Sequence, residues 1–519
     1  MQNLLLFTIL LTSCLIVLDA AKILGVFPFP APSEYIFAQP YFKALASRGH
    51  EVTVISAFPQ KQPIANFTDI CVNDTLKIHK TDIKIDKYMV ENKWKQLTSM
   101  TVFVEDVIKN VFKNHAVQQL MQSKQHFDVI VIETLYNEAL FGLAEHFGAH
   151  LIGISTLGTI SLIDDQVGNT SPISYIPNFS LGLTDRMTYM QRLKNLFIHT
   201  LEFLHLHFYH LPIQQVLYRK YFPEAQHDLL EVRKNFSLML LNQHFSLSFP
   251  RPYVSNMVEV GGMHLQRHSG VLPNDIQHFL NESGDAEVIY FSLGSHFKST
   301  YLPKEKLKII MRTFASLKQR VLWKFENPDL PDKPNNVFIR KWFPQFDILA
   351  HPSVKLFITH GGLLGSMESI YHAKPVLGMP IFFDQFLNVE RAKRAGFGLS
   401  VDYKQLTELD LKGKIEELLT EPKYTHMAQL LSKRYRDQPM EPLETAIYWT
   451  EYVLRHDGAP YMRSAAQDLN FVQYHSLDTI LALFGGIALI MLLLIWMIVK
   501  FLTWILHTKF NKSTKEKQS

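Results

Sequence analysis

Residues 357–368, FITHGGLLGSME, join an apolar run to a glycine-rich turn and then to a helix-like segment. This pattern predicts a strand that ends at Thr359 and a helix that starts near Gly365 and Ser366. Glycine lets a ligand approach the backbone closely, and the free N–H groups at a helix N-terminus bind phosphate. We therefore expect a phosphate-binding turn, in which His360 donates to phosphates and Glu368 accepts hydrogen bonds from ribose hydroxyls.

Short apolar segments alternate with helix-like stretches in both halves of the chain. Continuous runs rich in β-branched residues are typical of parallel strands that are covered on both faces. The strands expected in the first half are Ile23–Phe27, Val52–Ile55, Val129–Ile132, Leu151–Ile154 and Leu238–Leu241. Those in the second half are Val288–Leu293, Val321–Phe325, Val337–Ile339, Leu356–Thr359 and Val376–Met379. We predict an α/β fold of two facing Rossmann-like domains, 22–270 and 271–476, with one ligand site between the carboxyl ends of their strands.

Several polar and aromatic residues near strand ends are further candidate ligand contacts. Trp342 precedes Gln345 by three positions, so that a base can stack on the indole beside an amide. Asp384 and Gln385 offer acceptors and a donor that suit a polyhydroxylated sugar. Ser295 lies in a tight loop after a strand. No G-x-G-x-x-G motif follows the first strand, which argues against a dinucleotide cofactor and against the alternative of a membrane-bound oxidoreductase.

The two ends of the chain predict entry into the secretory pathway and one membrane crossing. An apolar N-terminal run predicts a signal peptide at 1–21, and the uncharged segment 479–499 is long enough to span a bilayer. Lysines place the tail, 500–519, in the cytosol, and Lys515 and Lys517 resemble a dilysine retrieval signal. We expect a single-pass type I protein of the endoplasmic reticulum membrane, with a lumenal body that can carry glycans. Candidate sequons begin at Asn66, Asn73, Asn169, Asn178, Asn235 and Asn281.

The composition excludes several other classes of protein. With 52 Lys and Arg against 48 Asp and Glu, the net charge is only +4, so that bulk charge does not favour nucleic-acid binding. Two cysteines, Cys14 and Cys71, exclude a disulfide framework and a cysteine-based metal site. His205 and His207 would share a face only on a strand, and we expect a helix and no metal site there. The aromatic stretch 196–209 is expected in the core, in an apolar acceptor pocket or at the bilayer.

The residues from His360 to Gln385 resemble the signature of the UDP-glycosyltransferases, glycosyltransferase family 1. The matching positions are FITHGG at 357–362, Gly365, Glu368, PVL at 375–377, Pro380, Asp384 and Gln385. The resemblance extends over nearly the whole chain and includes RGHEVTV at 48–54, RHDGAP at 455–460 and QYHSLD at 473–478. It implies a GT-B fold, with an N-terminal acceptor domain and a C-terminal UDP-sugar domain.

The resemblance also implies roles for individual residues. Trp342 would stack on uracil, Gln345 would hold the nucleoside, and Glu368 would bind ribose. Asp384 and Gln385 would bind the sugar. The residues that would meet the diphosphate are Ser295, His360, Gly362 and Gly365.

Transfer in this family inverts the anomeric carbon and needs no metal or other cofactor, because the UDP-sugar is a co-substrate. The implied reaction moves a hexose from a UDP-sugar to a small lipophilic acceptor. The segment FPFPAPS at 27–33 looks like insect members of the family, which favours UDP-glucose as donor, with UDP-glucuronate as the alternative. A homo-oligomer is compatible with the sequence.

The sequence departs from the family pattern at the expected catalytic base. Members usually carry a histidine at the start of the first helix, and here that position is Glu34. The aspartate that orients this histidine aligns with Glu133, while Asp128 is a poorer match. If the two glutamates face each other, repulsion and burial should raise one pKa and couple their titrations, so that Glu34 still serves as a base. The alternatives are that Glu34 is inert, that it caps the helix start, or that the protein is a fold-retaining binder of UDP-sugar or lipophile with weak or lost catalysis.

Overall fold

The computed structural model describes residues 20–78, 92–265, 270–282, 287–295 and 297–516, with side chains through residue 509. Most of the predicted signal peptide, 1–21, lies outside the described residues, as do Lys517 and the side chain of Lys515. The chain divides into two compact units, Met1–Arg463 and Ser464–Ser519.

The described strands of the first unit form two parallel sheets. The first sheet contains β1 (Lys22–Phe27), β2 (Glu51–Ser56), β3 (Phe67–Cys71), β4 (Val129–Glu133), β5 (His150–Ser155), β6 (Phe236–Leu241) and β7 (Met257–Glu259). The second contains β8 (Val288–Ser292), β9 (Arg320–Lys324), β10 (Val337–Arg340), β11 (Val354–Thr359), β12 (Val376–Gly378) and β13 (Gly398–Ser400). Their spatial orders are β3-β2-β1-β4-β5-β6-β7 and β10-β9-β8-β11-β12-β13. Both are doubly wound orders, and the strand order reverses between β1 and β4 and between β8 and β11.

Helices connect the strands, as right-handed βαβ units require. Those from the first half of the chain are α1 (Pro32–Ser47), α2 (Thr75–Ile78), α3 (Lys93–Lys113), α4 (His115–Gln122), α5 (Gly142–Phe147), α6 (Ser161–Val167), α7 (Tyr189–His205), α8 (Leu211–Tyr221) and α9 (Leu229–Val232). Those that follow are α10 (Asn274–Asn281), α11 (Lys304–Ala315), α12 (Gln345–Ala350), α13 (Leu363–Tyr371), α14 (Gln385–Arg394), α15 (Glu408–Thr420), α16 (Pro422–Arg436), α17 (Pro442–Arg455), α18 (Phe471–Tyr474) and α19 (Leu477–Glu516). A π-helical turn, Leu206–His210, joins α7 to α8.

Each sheet is buried on both faces, which explains the continuous apolar runs in the sequence. In β1, Leu24 and Val26 belong to one core cluster, whereas Ile23 and Phe27 belong to the cluster on the opposite face. Alternate residues of a strand point to opposite faces, so that both sets must be apolar when helices cover both sides. At Gly25, an added Cβ would lie 2.6 Å from the Phe42 ring, which shows how closely helix α1 packs on this strand.

All ten strands expected from the sequence are present, and three further strands were missed. The missed strands are β3, β7 and β13, each at an edge of its sheet. Strand β3 has no fully buried residue, while β7 and β13 are only three residues long. Edge strands of this kind lack the continuous apolar run that identifies a central strand.

Helix α17 crosses back from the second half of the chain to the first sheet. Thr450 Oγ1 is 2.7 Å from Tyr41 Oη on helix α1, and Arg48 Nη1 donates to Glu451 Oε1 at 3.2 Å. Ala446 and other apolar residues of α17 join the core cluster that contains β1. The predicted domain boundaries, 22–270 and 271–476, assigned this helix to the second domain. Contacts between residues about 400 positions apart in the chain leave no local signal in the sequence.

The second unit contains the long helix α19. Its segment Leu477–Lys509 has a mean hydropathy of 2.8 and is long and apolar enough to cross a membrane. The segment 479–499 that was predicted to span the bilayer lies within it. The apolar C-terminal helix expected from the sequence is therefore present as a candidate membrane span.

Candidate active site

His360 lies where the strand order of the second sheet reverses, between two glycine turns. Strand β11 ends at Thr359, and its neighbour β8 ends at Ser292. A Cβ added at Gly294 would collide with the His360 ring, and one at Gly362 would lie 2.6 Å from its Nε2 atom. Gly294 also has a φ of 84°, which favours glycine. Glycine at both positions therefore lets the ring lie against the two turns.

Helix α13 begins at Leu363 and not near Gly365 and Ser366 as predicted. Its N-cap residue, Gly362, is extended and has no side chain, so that no side chain caps the first-turn N–H groups. Such groups suit a phosphate. Gly365 lies within the helix, where an added Cβ would come 3.3 Å from Gln345 Nε2. Gly365 therefore permits close packing against the helix and is not part of the turn. The spacing of glycines in the sequence could not distinguish a glycine in the turn from one in the helix.

Gln345 and Glu368 form a hydrogen-bonded pair beside this turn. Gln345 Nε2 donates to Glu368 Oε2 at 2.6 Å. Burial raises the pKa of Glu368 to about 7, although the bond from Gln345 opposes the rise. The two residues that were predicted to hold the nucleoside are therefore in contact, and the amide of Gln345 orients the carboxylate.

Trp342 is more exposed to solvent than the other residues of the predicted donor site, whereas Ser295 is half-buried. The Trp342 side chain is 53% exposed and lines a groove with Pro344 and Arg340. Lys324 Nζ lies 5.7 Å from the centroid of the indole ring. An exposed aromatic face at the rim of a groove suits the stacking of a base.

Asn388 connects the predicted sugar-binding residues to the turn after β11. Its Nδ2 atom donates to Asp384 Oδ2 at 2.7 Å and to Gly361 O at 3.0 Å. Burial raises the pKa of Asp384 to about 6, and the bond from Asn388 opposes this rise. Sequence reasoning missed Asn388; its only local signal is that it follows Asp384 by four residues, the spacing of neighbours on one helix face.

Gln385 has less hydrogen-bonding capacity for a sugar than the sequence suggested. Its Oε1 atom accepts from the backbone N–H groups of Ile381 and Phe382, at 2.8 and 3.1 Å. The side-chain oxygen is therefore used by the turn before α14, and the NH₂ group is the part of Gln385 suited to contact a ligand.

Glu34 and Glu133 lie where the strand order of the first sheet reverses, and they interact with each other. Glu34 stands in the first turn of α1, just after β1, and Glu133 is the last residue of β4. Thr156 Oγ1 donates to Glu133 Oε1 at 3.1 Å. Glu34 Oε2 is enclosed, with no hydrogen-bond donor among the described residues. The carboxyl groups of Glu34 and Glu133 are also hydrogen-bonded to each other. Because an ionised carboxylate can only accept a hydrogen bond, one of the two must carry a proton.

Burial raises the pKa of both carboxyls in this pair. For Glu34 the charge of Glu133 adds to the effect of burial, and the charge of Asp384 contributes further. For Glu133 burial dominates, opposed by the hydrogen bond from Thr156. Asp384 follows β12 of the second sheet, whereas Glu34 follows β1 of the first, so that a charge beside one sheet acts on a carboxyl beside the other. This interaction is consistent with the expected ligand site between the carboxyl ends of the strands of the two sheets.

The histidines near residue 205 form a buried polar cluster. His205 Nε2 and His210 Nδ1 lie 3.3 and 3.0 Å from Thr101 Oγ1, and His210 Nε2 lies 2.8 Å from Glu138 Oε2. The segment is helical, as expected. Within the part of the chain that the structure describes, no group of three His, Cys, Asp or Glu side chains could hold a metal ion.

The aromatic stretch 196–209 is divided between the interior and the surface. His205 is buried, whereas Phe197 and Phe208 are 64% and 73% exposed. The stretch 196–209 was expected in the core, in an acceptor pocket or at the bilayer. The core accounts for only part of it.

Two of the six sequons are buried in the folded chain. Asn169 Nδ2 donates to Asp164 Oδ1 at 2.7 Å, and Asn178 Nδ2 donates to Glu202 Oε2 at 2.6 Å. A glycan on either nitrogen would remove these bonds and would not fit a buried site, so that we expect none there. The exposed candidates are Asn66, Asn73, Asn235 and Asn281.

Comparison with known proteins identifies the family to which this geometry belongs. The model of the family described as "UDP-glucoronosyl and UDP-glucosyl transferase" matches residues 31–516. The chain belongs to this family. The match begins just before helix α1, and so includes Glu34, Glu133 and the whole turn around His360. Members of the family transfer sugar from a UDP-sugar, and the protein is therefore a glycosyltransferase.

Relatives within the UDP-glycosyltransferase family are similar over nearly the full length. "UDP-glycosyltransferase UGT5" of Dactylopius coccus is 36% identical over 476 residues, covering 91% of this chain and 90% of the relative. "2-Hydroxyacylsphingosine 1-beta-galactosyltransferase" of Homo sapiens is 31% identical over 504 residues, covering 95% and 91%. A solved structure of "UDP-glucose: anthocyanidin 3-O-glucosyltransferase in complex with UDP" has a TM-score of 0.56 at 16% identity, covering 84% of this chain and 99% of the other. This structural likeness supports the GT-B fold.

Proposed function

We propose that the protein moves a hexose from a UDP-sugar to the hydroxyl of a small lipophilic acceptor, with Glu34 as the general base. The observation that carries this proposal is the carboxyl pair Glu34–Glu133, in which burial raises both pKa values and the charges of Glu133 and Asp384 raise that of Glu34 further. An ordinary glutamate, with a pKa near 4.3, is a weak base, and a raised pKa brings it closer to the value that suits proton transfer at neutral pH. Glu133 is then the positioning partner that helps to raise the pKa of Glu34.

In the proposed reaction, each of these groups has a separate role. Deprotonated Glu34 takes the proton of the acceptor hydroxyl while the oxygen attacks the anomeric carbon from the face opposite UDP, which inverts the configuration. The sugar–phosphate bond breaks, and the negative charge that develops on UDP is met by His360 and by the N-terminus of α13. No metal or further cofactor is required in this scheme.

UDP-glucose is the proposed donor, with UDP-glucuronate as the second candidate. One relative, from Dactylopius coccus, is named "UDP-glucosyltransferase 2" and is 34% identical, while "UDP-glucuronosyltransferase 2A3" of Cavia porcellus is 32% identical. UDP release should be assayed with both donors against phenols, flavonoids and steroids. Release that requires an acceptor supports transfer, whereas tight UDP binding without release under any combination would favour a non-catalytic binder.

Glu368→Ala should weaken UDP binding about 5- to 100-fold. The substitution leaves ribose hydroxyls and Gln345 Nε2 without their acceptor, and such a loss costs about 1–3 kcal/mol. Calorimetry with UDP measures the effect. Glu305→Ala is the matched control, because that glutamate is 82% exposed on helix α11. An unchanged UDP affinity for Glu368→Ala would show that the ribose contact is misassigned.

We propose that the body is lumenal in the endoplasmic reticulum, with helix α19 as the anchor and residues 500–519 in the cytosol. Protease added to sealed microsomes should remove only the tail, because the bilayer shields the rest. Digestion of the body in intact microsomes would contradict this orientation. Replacing Lys515 and Lys517 by serine should release the protein to the cell surface if these lysines are the retrieval signal.

A further inference from the structure

The segment between the two sheets makes a tight turn that holds His264 in place. After β7, Gly261 N donates to Gln243 O at 3.0 Å, and an added Cβ at Gly261 would lie 2.5 Å from that same oxygen. Tyr435 Oη, on helix α16, donates to Gly261 O at 2.9 Å. Gly262 has a φ of 100°, and an added Cβ there would collide with the Tyr435 hydroxyl. Only glycine fits at positions 261 and 262. The closely packed turn therefore fixes the position of His264, two residues after Gly262.

His264 is buried and has unused hydrogen-bonding capacity next to the predicted ribose site. Its side chain is 2% exposed, and Nε2 lies 3.9 Å from Glu368 Oε1. Neither ring nitrogen has a hydrogen-bond partner among the described residues. Burial lowers the pKa of His264 to about 3, so that the ring is neutral and does not form an ion pair with Glu368. A neutral imidazole has one donor and one acceptor nitrogen, and leaving both unpaired in the interior is costly.

The separation of these two atoms suits a bridging hydroxyl. A hydroxyl oxygen about 2.8 Å from each atom fits between Nε2 and Oε1, which are 3.9 Å apart. A hydroxyl both accepts and donates, so that it can accept from the imidazole N–H and donate to the carboxylate. A ribose carries two such hydroxyls, at the 2′ and 3′ positions, and removing the one that bridges Nε2 and Oε1 should weaken binding.

We propose that His264 is a further nucleoside-binding side chain, which hydrogen-bonds the same ribose hydroxyl as Glu368. The inference rests on the proposed ribose role of Glu368 and extends it to a residue outside the second sheet. The nucleoside would then be held by three separate segments: α12 through Gln345, α13 through Glu368 and the turn between the sheets through His264.

The experiment compares UDP with its 2′-deoxy and 3′-deoxy analogues in the full-length protein, by calorimetry. His264→Phe removes the nitrogens but keeps a ring against Phe37, whose centroid lies 5.8 Å from that of His264. We expect this variant to bind UDP about 5- to 30-fold more weakly and to lose no affinity for the analogue that lacks the bridging hydroxyl. His264→Gln, which restores a donor near the position of Nε2, should recover part of the UDP affinity.

His244→Phe is the matched control. His244 is also buried with an unpartnered Nε2 among the described residues, and its ring centroid lies 4.9 Å from that of Tyr435. This variant should bind UDP as the wild type does. It changes a side chain beside Tyr435, near the turn at Gly261 and Gly262, and leaves the ribose contact intact. An equal loss for UDP and both analogues in His264→Phe would mean that the residue only supports the fold, and would overturn the inference.

The Glu368→Ala variant separates this inference from the proposed function. If Glu368→Ala weakens UDP binding and His264→Phe does not, only the role of His264 fails. If Glu368→Ala leaves UDP affinity unchanged, the ribose site itself is misassigned and both fail.

Discussion

Replacing Glu34 with glutamine should lower kcat for neutral alcohol acceptors by about 10²- to 10⁴-fold, because a positioned general base contributes that much to a proton transfer. Glutamine keeps the shape of the side chain and cannot accept the proton. The affinity for UDP should not change, since Glu34 lies on the first sheet's side of the site. Glu34→His should preserve or raise the rate, because an imidazole with a pKa near 6.5 is well suited to the task.

The pH dependence of the wild-type enzyme provides a second measure of the same residue. A base works in its deprotonated form, and the pKa of Glu34 is raised, so that kcat/KM should increase with pH above the range of an ordinary glutamate. Glu133→Gln removes the neighbouring charge and should move this rise to lower pH without abolishing activity. Wild-type turnover by Glu34→Gln with neutral alcohols would show that the base is elsewhere or is unnecessary.

Replacing Asp384 with asparagine should reduce kcat/KM for the UDP-sugar about 10- to 150-fold while the affinity for plain UDP stays the same. Hydrogen bonds to a charged group contribute about 1.5–3 kcal/mol, and the sugar hydroxyls would lose this acceptor. Asparagine can still accept from Asn388, so that the bond between α14 and the turn at Gly361 is preserved.

The same variant tests whether the two halves of the site interact. The charge of Asp384 raises the pKa of Glu34, and removing it should therefore shift the pH–rate profile to lower pH. Comparing UDP calorimetry with steady-state rates distinguishes the two effects. Equal losses for plain UDP and for the UDP-sugar would show that Asp384 supports the nucleotide site as a whole and does not specifically bind the sugar.

The central strands could be predicted from the sequence because a buried strand leaves a local pattern, a short continuous run of apolar residues. Strands covered on both faces require continuous apolar runs, and the ten runs that were identified each coincide with a strand of the two sheets. The glycine turn around His360 was also evident, since the need for glycine is set by the backbone at that point. The edge strands β3 and β7 were missed because partial exposure or shortness removes this signature.

The chemistry of the candidate site depended on contacts that no local pattern contains. The sequence located Glu34 and Glu133 near two strand ends, but their interaction and raised pKa values require the strands to be neighbours and the pair to be buried. Asn388 and His264 were not identified, because an amide on a helix and a histidine after a glycine turn look ordinary until their partners are known.

The sequence by itself determined the class of fold and the family, since both are written in residue types at fixed spacing along the chain. Tertiary structure alone decided which distant residues lie close together: α17 with the first sheet, Glu34 with Glu133, and His264 with Glu368. The physical reason is that the apolar pattern of an element specifies which of its faces is buried, but not which other element covers that face. Hydrogen bonds and pKa values depend on that second choice.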